Sequence, residues 1–229
     1  MDRGLYIAAS GMLAEQIRQD QIANDLANAA TPGYKADRTS QRTFGDLLLA
    51  NSRTGQVVGP QSTAVQVDRI ETDFTPSPAR DTGEPLDFAI VGEGFFAVQT
   101  ERGVRYTRNG QFGLDAQGML VTAQGAAVLD RNGRPIRAEG GRVDAGRLGV
   151  VALNDPAKEG ESLVTGTPAG AATGQVRAGA LEGSGADPAR SMVDMIASMR
   201  AFEAGQKVIQ TIDDTLGKAA NNVGSVGAA

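Results

Sequence analysis

Apolar residues fall into three successive patterns along this 229-residue chain. Near the C-terminus, Asp187 suits a helix cap and Pro188 a first helical position. From there Met195, Phe202, Ile209, Leu216 and Val223 recur at a strict interval of seven, the spacing of a coiled-coil seam. Met192, Ile196, Met199, Ile212 and Ala219 widen the seam into a stripe. A helix over this span would be roughly 50 Å long, and so long an element cannot bury its seam alone. The N-terminus offers a partner. Leu5, Ala8, Ala9, Met12, Leu13, Ala23 and Leu26 share one broad helical face, with Arg3, Arg18, Gln21 and Asp25 opposite. Gln16 and Gln19 interrupt that face, while Ala8, Ala9, Ala23 and Ala27 permit close helix approach. The break at Thr31, Pro32 and Gly33 ends the helix. Either helix alone would equally suit packing on the middle of the chain; both together favour pairing of the two ends.

The middle changes period. In "PLDFAIVGEGFFAVQT", Leu86, Phe88 and Ile90 alternate onto one face, followed by Phe96 and Val98 after a glycine break. Turn dipeptides follow at Asn109-Gly110, Gln117-Gly118, Gln124-Gly125 and Asn132-Gly133, and Asn-Gly between apolar runs is a strong hairpin cue. This spacing predicts an antiparallel all-β domain at about residues 65–185. Residues 35–64 show no firm period and read as a connector, with Phe44, Leu47, Leu48 and Leu49 as a docking patch. The predicted fold is α+β. A discontinuous, coiled-coil-like helical domain from both termini (1–34 and 186–229) carries an inserted antiparallel all-β domain.

Composition narrows the chemistry. A net charge of -5, with no run of Lys or Arg, argues against a general nucleic-acid binder. Histidine and cysteine are both absent, which removes the commonest general base, the commonest metal ligand, thiolate chemistry and disulfides. The first residues form neither a signal peptide nor a membrane span, so export would need a route without a cleaved leader, and direct membrane insertion is not expected.

Candidate catalytic groups are weak. Asp81-Thr82-Gly83 spells the aspartic-protease triplet, but that chemistry needs two carboxylates and one copy is present, with polar flanks. Gly92-Glu93-Gly94 lacks the third glycine and following helix of a dinucleotide loop, and a tight strand connection explains it better. Asp213-Asp214 suits a solvated helix face, and no metal-loop spacing occurs. Neither catalysis nor a cofactor nor a metal is expected.

Three separated stretches then carry a resemblance: "IANDLANAATPGYK"; "LDFAIVGEGFFAVQ" with "YTRNGQFGLDAQGMLVT"; and "GALEGSGADPARSMVDMIASMRAFEAGQKVIQT". In this order they resemble the rod and hook axial family of the bacterial flagellar basal body, in its proximal or distal rod (FlgF or FlgG) types. Asp25 and Gly185 stand where the family usually has Asn. The resemblance implies a structural, self-assembling subunit of a hollow helical rod that transmits torque for motility. Its partners would be copies of itself, other rod and hook axial proteins, and the flagellar (type III) export apparatus, at the basal body across the cell envelope and periplasm. It places the assembly interface on the terminal helices, at Leu5, Met12, Asn24, Leu26, Asn28, Met195, Met199, Phe202, Ile209, Leu216 and Val223. Thr31, Pro32 and Gly33 would turn the chain outward, and the amides of Asn24 and Asn28 would bond across subunits. Two alternatives stand beside it: an aspartic-type hydrolase using Asp81 in a dimer, and a coiled-coil surface scaffold unrelated to flagella.

Overall fold

The computed structural model describes residues 2–44, 47–50, 57–61 and 64–225. Helix α1 (Asp2–Ala27) opens the chain and α2 (Pro188–Ser225) closes it. Between them run β1 (Asp37–Phe44), β2 (Leu47–Ala50), β3 (Val57–Gln61), β4 (Ala64–Thr72), β5 (Ala79–Asp81), β6 (Phe88–Val91), β7 (Phe95–Thr100) and β8 (Gly103–Thr107). They continue with β9 (Phe112–Leu114), β10 (Leu120–Thr122), β11 (Ala127–Val128), β12 (Val150–Glu159), β13 (Leu163–Ala171), β14 (Gln175–Ala178) and β15 (Ala180–Glu182). Terminal helices around antiparallel strands make the fold α+β. Residues 35–64, read above as a connector, carry β1, β2 and β3. The side chains of Phe44, Leu47, Leu48 and Leu49 lie outside the described residues.

The chain divides into two compact units, one of Met1–Asn24, Asp37–Glu71 and Ala189–Ala229, the other of Asp25–Ala36 and Thr72–Pro188. In the first, β1 pairs with β4 and β2 with β3. The second is built on a ring of pairings: β7 with β8, β8 with β13, β13 with β12, and β12 back to β7 through Val150 opposite Phe96. Such closure leaves those strands few free edges. Strands β11, β10 and β9 extend from β7, while β14 pairs with β6 and β15 with β5.

Strand β7 feeds two cores, because alternate side chains of an extended chain leave on opposite faces. Phe96 and Val98 join Phe88, Ile90, Phe112, Leu120, Val128, Ile136, Val143 and Leu148 on one side. Phe95 and Ala97 join Tyr106, Leu129 and Val164 on the other. Phe96 meets Phe112 edge-on, with centroids 5.3 Å apart. The few aromatic residues are thus concentrated where two cores share one strand. Strand β6 differs from its period-two reading: Phe88, Ala89 and Ile90 are all buried. A strand covered on both faces needs apolar residues at every position, so alternation disappears.

Gly92 and Gly94 make the tight β6–β7 connection with φ of 105° and 126°, where a side chain would be strained. Gly110 is fixed by proximity instead. A Cβ there would lie 1.6 Å from the Phe88 carbonyl oxygen. We expect Gly110→Ala to destabilise the chain by about 2 kcal/mol or more in urea unfolding. Gly113→Ala, with nothing within 4 Å of its added carbon, should stay within about 0.5 kcal/mol of the parent.

Candidate functional site

The two helices lie side by side in the first unit, and their contacts run in opposite directions along the chain. Gly4 faces Ile212, Met12 faces Gly205, and Glu15 faces Ser198. Gly205 forms a notch: a Cβ there would come 2.7 Å from Met12 Cγ. The Ser198 hydroxyl, buried, donates to the Glu15 carboxylate at 2.6 Å. On α2 the partly or fully buried positions include Ser191, Met195, Ser198, Phe202, Gly205, Ile209 and Ile212, which alternate steps of four and three, with Asp194 partly buried beside them. The seven-residue pattern of Met195, Phe202 and Ile209 thus faces inward, paired with a second row of small residues that hydropathy does not reveal.

Polar groups do much of the inward work on α1. The Ser10 hydroxyl accepts from Val65 N at 3.2 Å, and the Gln21 amide donates to the Asp37 carbonyl. Gln41 Nε2 donates to Glu15 at 3.3 Å. Ala14 and Ile22 are the buried apolar residues of this helix, and Leu13 is 60% exposed. The expected face of Leu5, Ala9, Leu13 and Ala23 is therefore corrected. Each of these is exposed, and Gln21 and Asp25, expected opposite, face inward. Side-chain bonds to strand backbone hold that face, and these leave no apolar periodicity to read.

The apolar surface left over is considerable. On α1, Leu5, Tyr6, Leu13 and Ile17 are exposed; on α2, Met192, Val193, Ile196, Met199, Val208 and Leu216. Exposed apolar rows of this extent mark interaction surfaces in soluble proteins. Of the residues expected at an interface, Leu5, Met199 and Leu216 lie in these rows, and Met12, Met195, Phe202 and Ile209 sit partly buried in the helix pair. Leu26 is half-buried and Asn24 exposed. Asn28 is buried, its side-chain oxygen accepting from the Thr31 hydroxyl at 3.0 Å. It serves the turn after α1 and does not reach outward. The side chain of Val223 lies outside the described residues.

The second unit binds together the segment that leaves α1 and the one that enters α2. Gly33 N donates to Glu182 O at 3.0 Å, Gly185 N to Tyr34 O at 2.8 Å, and the Ser184 hydroxyl to Asn28 O at 2.9 Å. Gly33 has φ 66°, and a Cβ on it would lie 2.4 Å from the Arg108 backbone, so both conformation and space require glycine. Gly185 acts through its backbone N–H alone. The Tyr34 hydroxyl donates to Asp25 at 2.8 Å, and the Lys158 ammonium sits 4.0 Å from the Tyr34 ring centroid.

At the centre of this junction is Glu182, fully buried between two buried cations. One carboxylate oxygen accepts from Lys35 Nζ at 2.7 Å and Ser77 N at 2.9 Å; the other accepts from Arg108 Nη1 at 3.1 Å. Lys35 also donates to Thr75 O at 2.7 Å, and Arg108 Nη2 to Gly92 O at 2.9 Å. The Lys35 ammonium is held below the usual lysine range, because burial outweighs its attraction to Glu182. The motifs around Lys35, Arg108 and Glu182 were each visible in the sequence; their convergence was not, since 147 positions separate Lys35 from Glu182.

Asp81 is exposed and bonded to Arg177 at 2.6 Å, so its carboxylate has neither the apolar surroundings nor the second carboxylate that aspartic chemistry needs. Among the described residues no group of three or more His, Cys, Asp or Glu could hold a metal. No described helix is long and apolar enough to cross a membrane.

Comparison with known families gives three matches in chain order. Residues 5–35 match "Flagella basal body rod protein", residues 89–152 match "Flagellar hook protein FlgE/F/G D1 domain", and residues 177–222 match "Flagellar basal body rod FlgEFG protein C-terminal". Lys35, Arg108 and Glu182 fall one in each. The chain is 33% identical to the flagellar basal-body rod protein FlgG of Bacillus subtilis, over 96% of this chain and 99% of that protein. It is 31% identical to FlgF of Caulobacter vibrioides over 99% and 100% of the two chains, and 33% identical to FlgF of Escherichia coli over 96% and 97%.

Two outcomes test the buried junction. Glu182→Gln should cost about 3–5 kcal/mol in urea unfolding, because it strands two buried cations, whereas the combined Lys35→Met, Arg108→Met, Glu182→Leu chain should recover most of that loss. Additive losses in the combined chain would contradict the account. The pH dependence follows from Lys35. Its folded value lies below its unfolded value of about 10.4, so between the two the unfolded chain binds more protons and stability rises with pH. Lys35→Met should remove this alkaline increment when unfolding curves of the two chains are compared.

Proposed function

We infer the role of the terminal helices from one fact: this chain belongs to the family of flagellar basal-body rod proteins of the FlgF/FlgG type. It is a structural subunit of the flagellar basal-body rod, not an enzyme, and it assembles with other rod and hook proteins. The hydrolase alternative has no support in the relatives or in the surroundings of Asp81. The division into a terminal assembly domain (1–34 and 186–229), a connector (35–64) and a β-rich domain (65–185) is our functional reading of the chain. In it, the helix pair supercoils as a coiled coil and packs against copies of itself to line a hollow tube. The chain travels through the flagellar export apparatus and comes to span the envelope in the rod.

The observation that carries this reading is the arrangement of the helices. Small and polar residues share the inner face with the row Met195, Phe202 and Ile209, while Met192, Ile196, Met199, Leu5, Tyr6 and Leu13 face solvent. A helix pair that leaves this many apolar residues outside gains further from a neighbour, since the driving force scales with apolar area removed from water.

Internal and external rows are therefore separable by mutation. Ile196→Asp combined with Met199→Asp should leave unfolding of the free subunit within about 0.5 kcal/mol of the parent and abolish recovery in isolated basal bodies, with loss of motility. Phe202→Asp should lower helix content and stability of the free chain as well. Wild-type motility in the Ile196, Met199 variant would overturn the assignment of the outer row.

A further inference from the structure

The chain has no cysteine, histidine or tryptophan, which leaves its six methionines as the side chains most open to two-electron oxidation. A thioether sulfur is soft and polarisable, and adding one oxygen turns a flexible apolar side chain into a polar sulfoxide. Where each methionine stands decides what that change does to the protein.

Three of the six, Met192, Met195 and Met199, lie close together in α2, and the structure separates them. Met192 is 55% exposed and Met199 51%, whereas Met195 is partly buried in the helix pair. Positions seven apart are nearly two full turns apart, so Met192 and Met199 stand on one side of the helix, about 10 Å apart along it. Ile196 lies between them and is likewise exposed, which makes the row continuous.

The other methionines with described side chains are more sheltered. Met12 sits against the notch of α2, its sulfur 3.3 Å from where a Cβ on Gly205 would lie. Met119 is half-buried in a turn, with its backbone N–H donating to the Asp115 carboxylate at 2.7 Å. An oxidant must reach a sulfur lone pair to react, so exposure sets the order of reaction.

We propose that Met192 and Met199 form an oxidation site in the outer row of α2, at which a peroxide converts the free subunit into one that no longer assembles. The thioether sulfur attacks one peroxide oxygen and the O–O bond breaks as the S–O bond forms. The sulfur loses two electrons to the peroxide, whose second oxygen leaves as water with both protons. The consequence rests on the reading that this row meets neighbouring copies. A sulfoxide oxygen needs hydrogen-bond donors that an apolar neighbour does not supply, so covering it is costly where covering the thioether is favourable. The inner face, with Met12 and Met195, keeps its packing, and the fold of the free chain is retained.

The test treats the full-length chain with hydrogen peroxide and locates the added oxygen by fragmentation mass spectrometry. Met192 and Met199 should be oxidised before Met12, Met119 and Met195, with the helix content and unfolding curve of the oxidised chain unchanged. Equal oxidation of all these positions, or loss of helix content, would overturn the site. In isolated basal bodies the same treatment should leave Met192 and Met199 reduced. If they react there as fast as in the free chain, the row is not covered, and the self-packing reading falls together with the consequence drawn from it. Two variants then test that consequence directly. Met192→Gln with Met199→Gln puts a polar amide in place of each sulfoxide, while Met192→Leu with Met199→Leu keeps the row apolar and removes the sulfur. Recovery of the Gln chain in basal bodies should be about tenfold or more below that of the Leu chain. Equal recovery of the two sinks the proposal; if Ile196→Asp with Met199→Asp still abolishes recovery, the outer row stands and only the role of oxidation is lost.

Discussion

The strand unit depends on one carboxylate held between two cations out of contact with water. Lys35, Arg108 and Glu182 would each be costly to bury alone, and their attraction at 2.7 and 3.1 Å offsets that cost together with further bonds to Thr75 O, Ser77 N and Gly92 O, although the buried Arg108 Nε has no hydrogen-bond partner among the described residues. The gain is uniqueness more than stability. Strand β15 pairs Glu182 with Ala79 in register, and a slip of one residue would turn Glu182 to the opposite face and leave both cations unpaired. The turn after α1 is fixed the same way, since Gly33 must lie against the Arg108 backbone for Lys35 to reach. A few short bonds therefore select one arrangement of three distant stretches of chain.

That junction also explains how long helices with weak amphipathic faces are specified. The segments that leave α1 and enter α2 are bonded to each other through Asn28, Tyr34, Glu182, Ser184 and Gly185. The loop between the helices is in effect closed by the strand unit, so the entropy of bringing the two ends together is met by packing elsewhere. The helix pair can then afford an inner seam of serine, glycine and partly buried apolar residues.

Much of this was legible. The seven-residue spacing of Met195, Phe202 and Ile209 identified the inward row of α2, and the glycine-bearing turns announced the antiparallel unit. Two kinds of feature were not. One is burial achieved with polar or small side chains: Ser198, Gly205, Gln21 and Asn28 carry no hydropathy signal, and hence Leu5, Ala9, Leu13 and Ala23 were assigned to the inner face of α1 while Met12 was placed there correctly. The other is convergence over long separations, as in the Lys35 junction, where chemistry is shared between motifs that look independent in one dimension.

A repeat of seven creates an ambiguity that the structure must remove. Rows of similar apolar residues can slide by one repeat, about 10 Å along a helix, and pack nearly as well, because hydrophobic contact is non-directional. Position-specific features break the degeneracy. Met12 fits the notch at Gly205, and Glu15 meets the one serine, Ser198, buried deeply enough to hold it. After a slide of one repeat, Met12 would face Ser198 or Ile212 and Glu15 would face Ser191 or Gly205, so neither the notch nor the deeply buried hydroxyl would meet its partner. Small and polar residues in the seam are thus its register marks, and they are positioned where the apolar pattern alone would leave the pairing undecided.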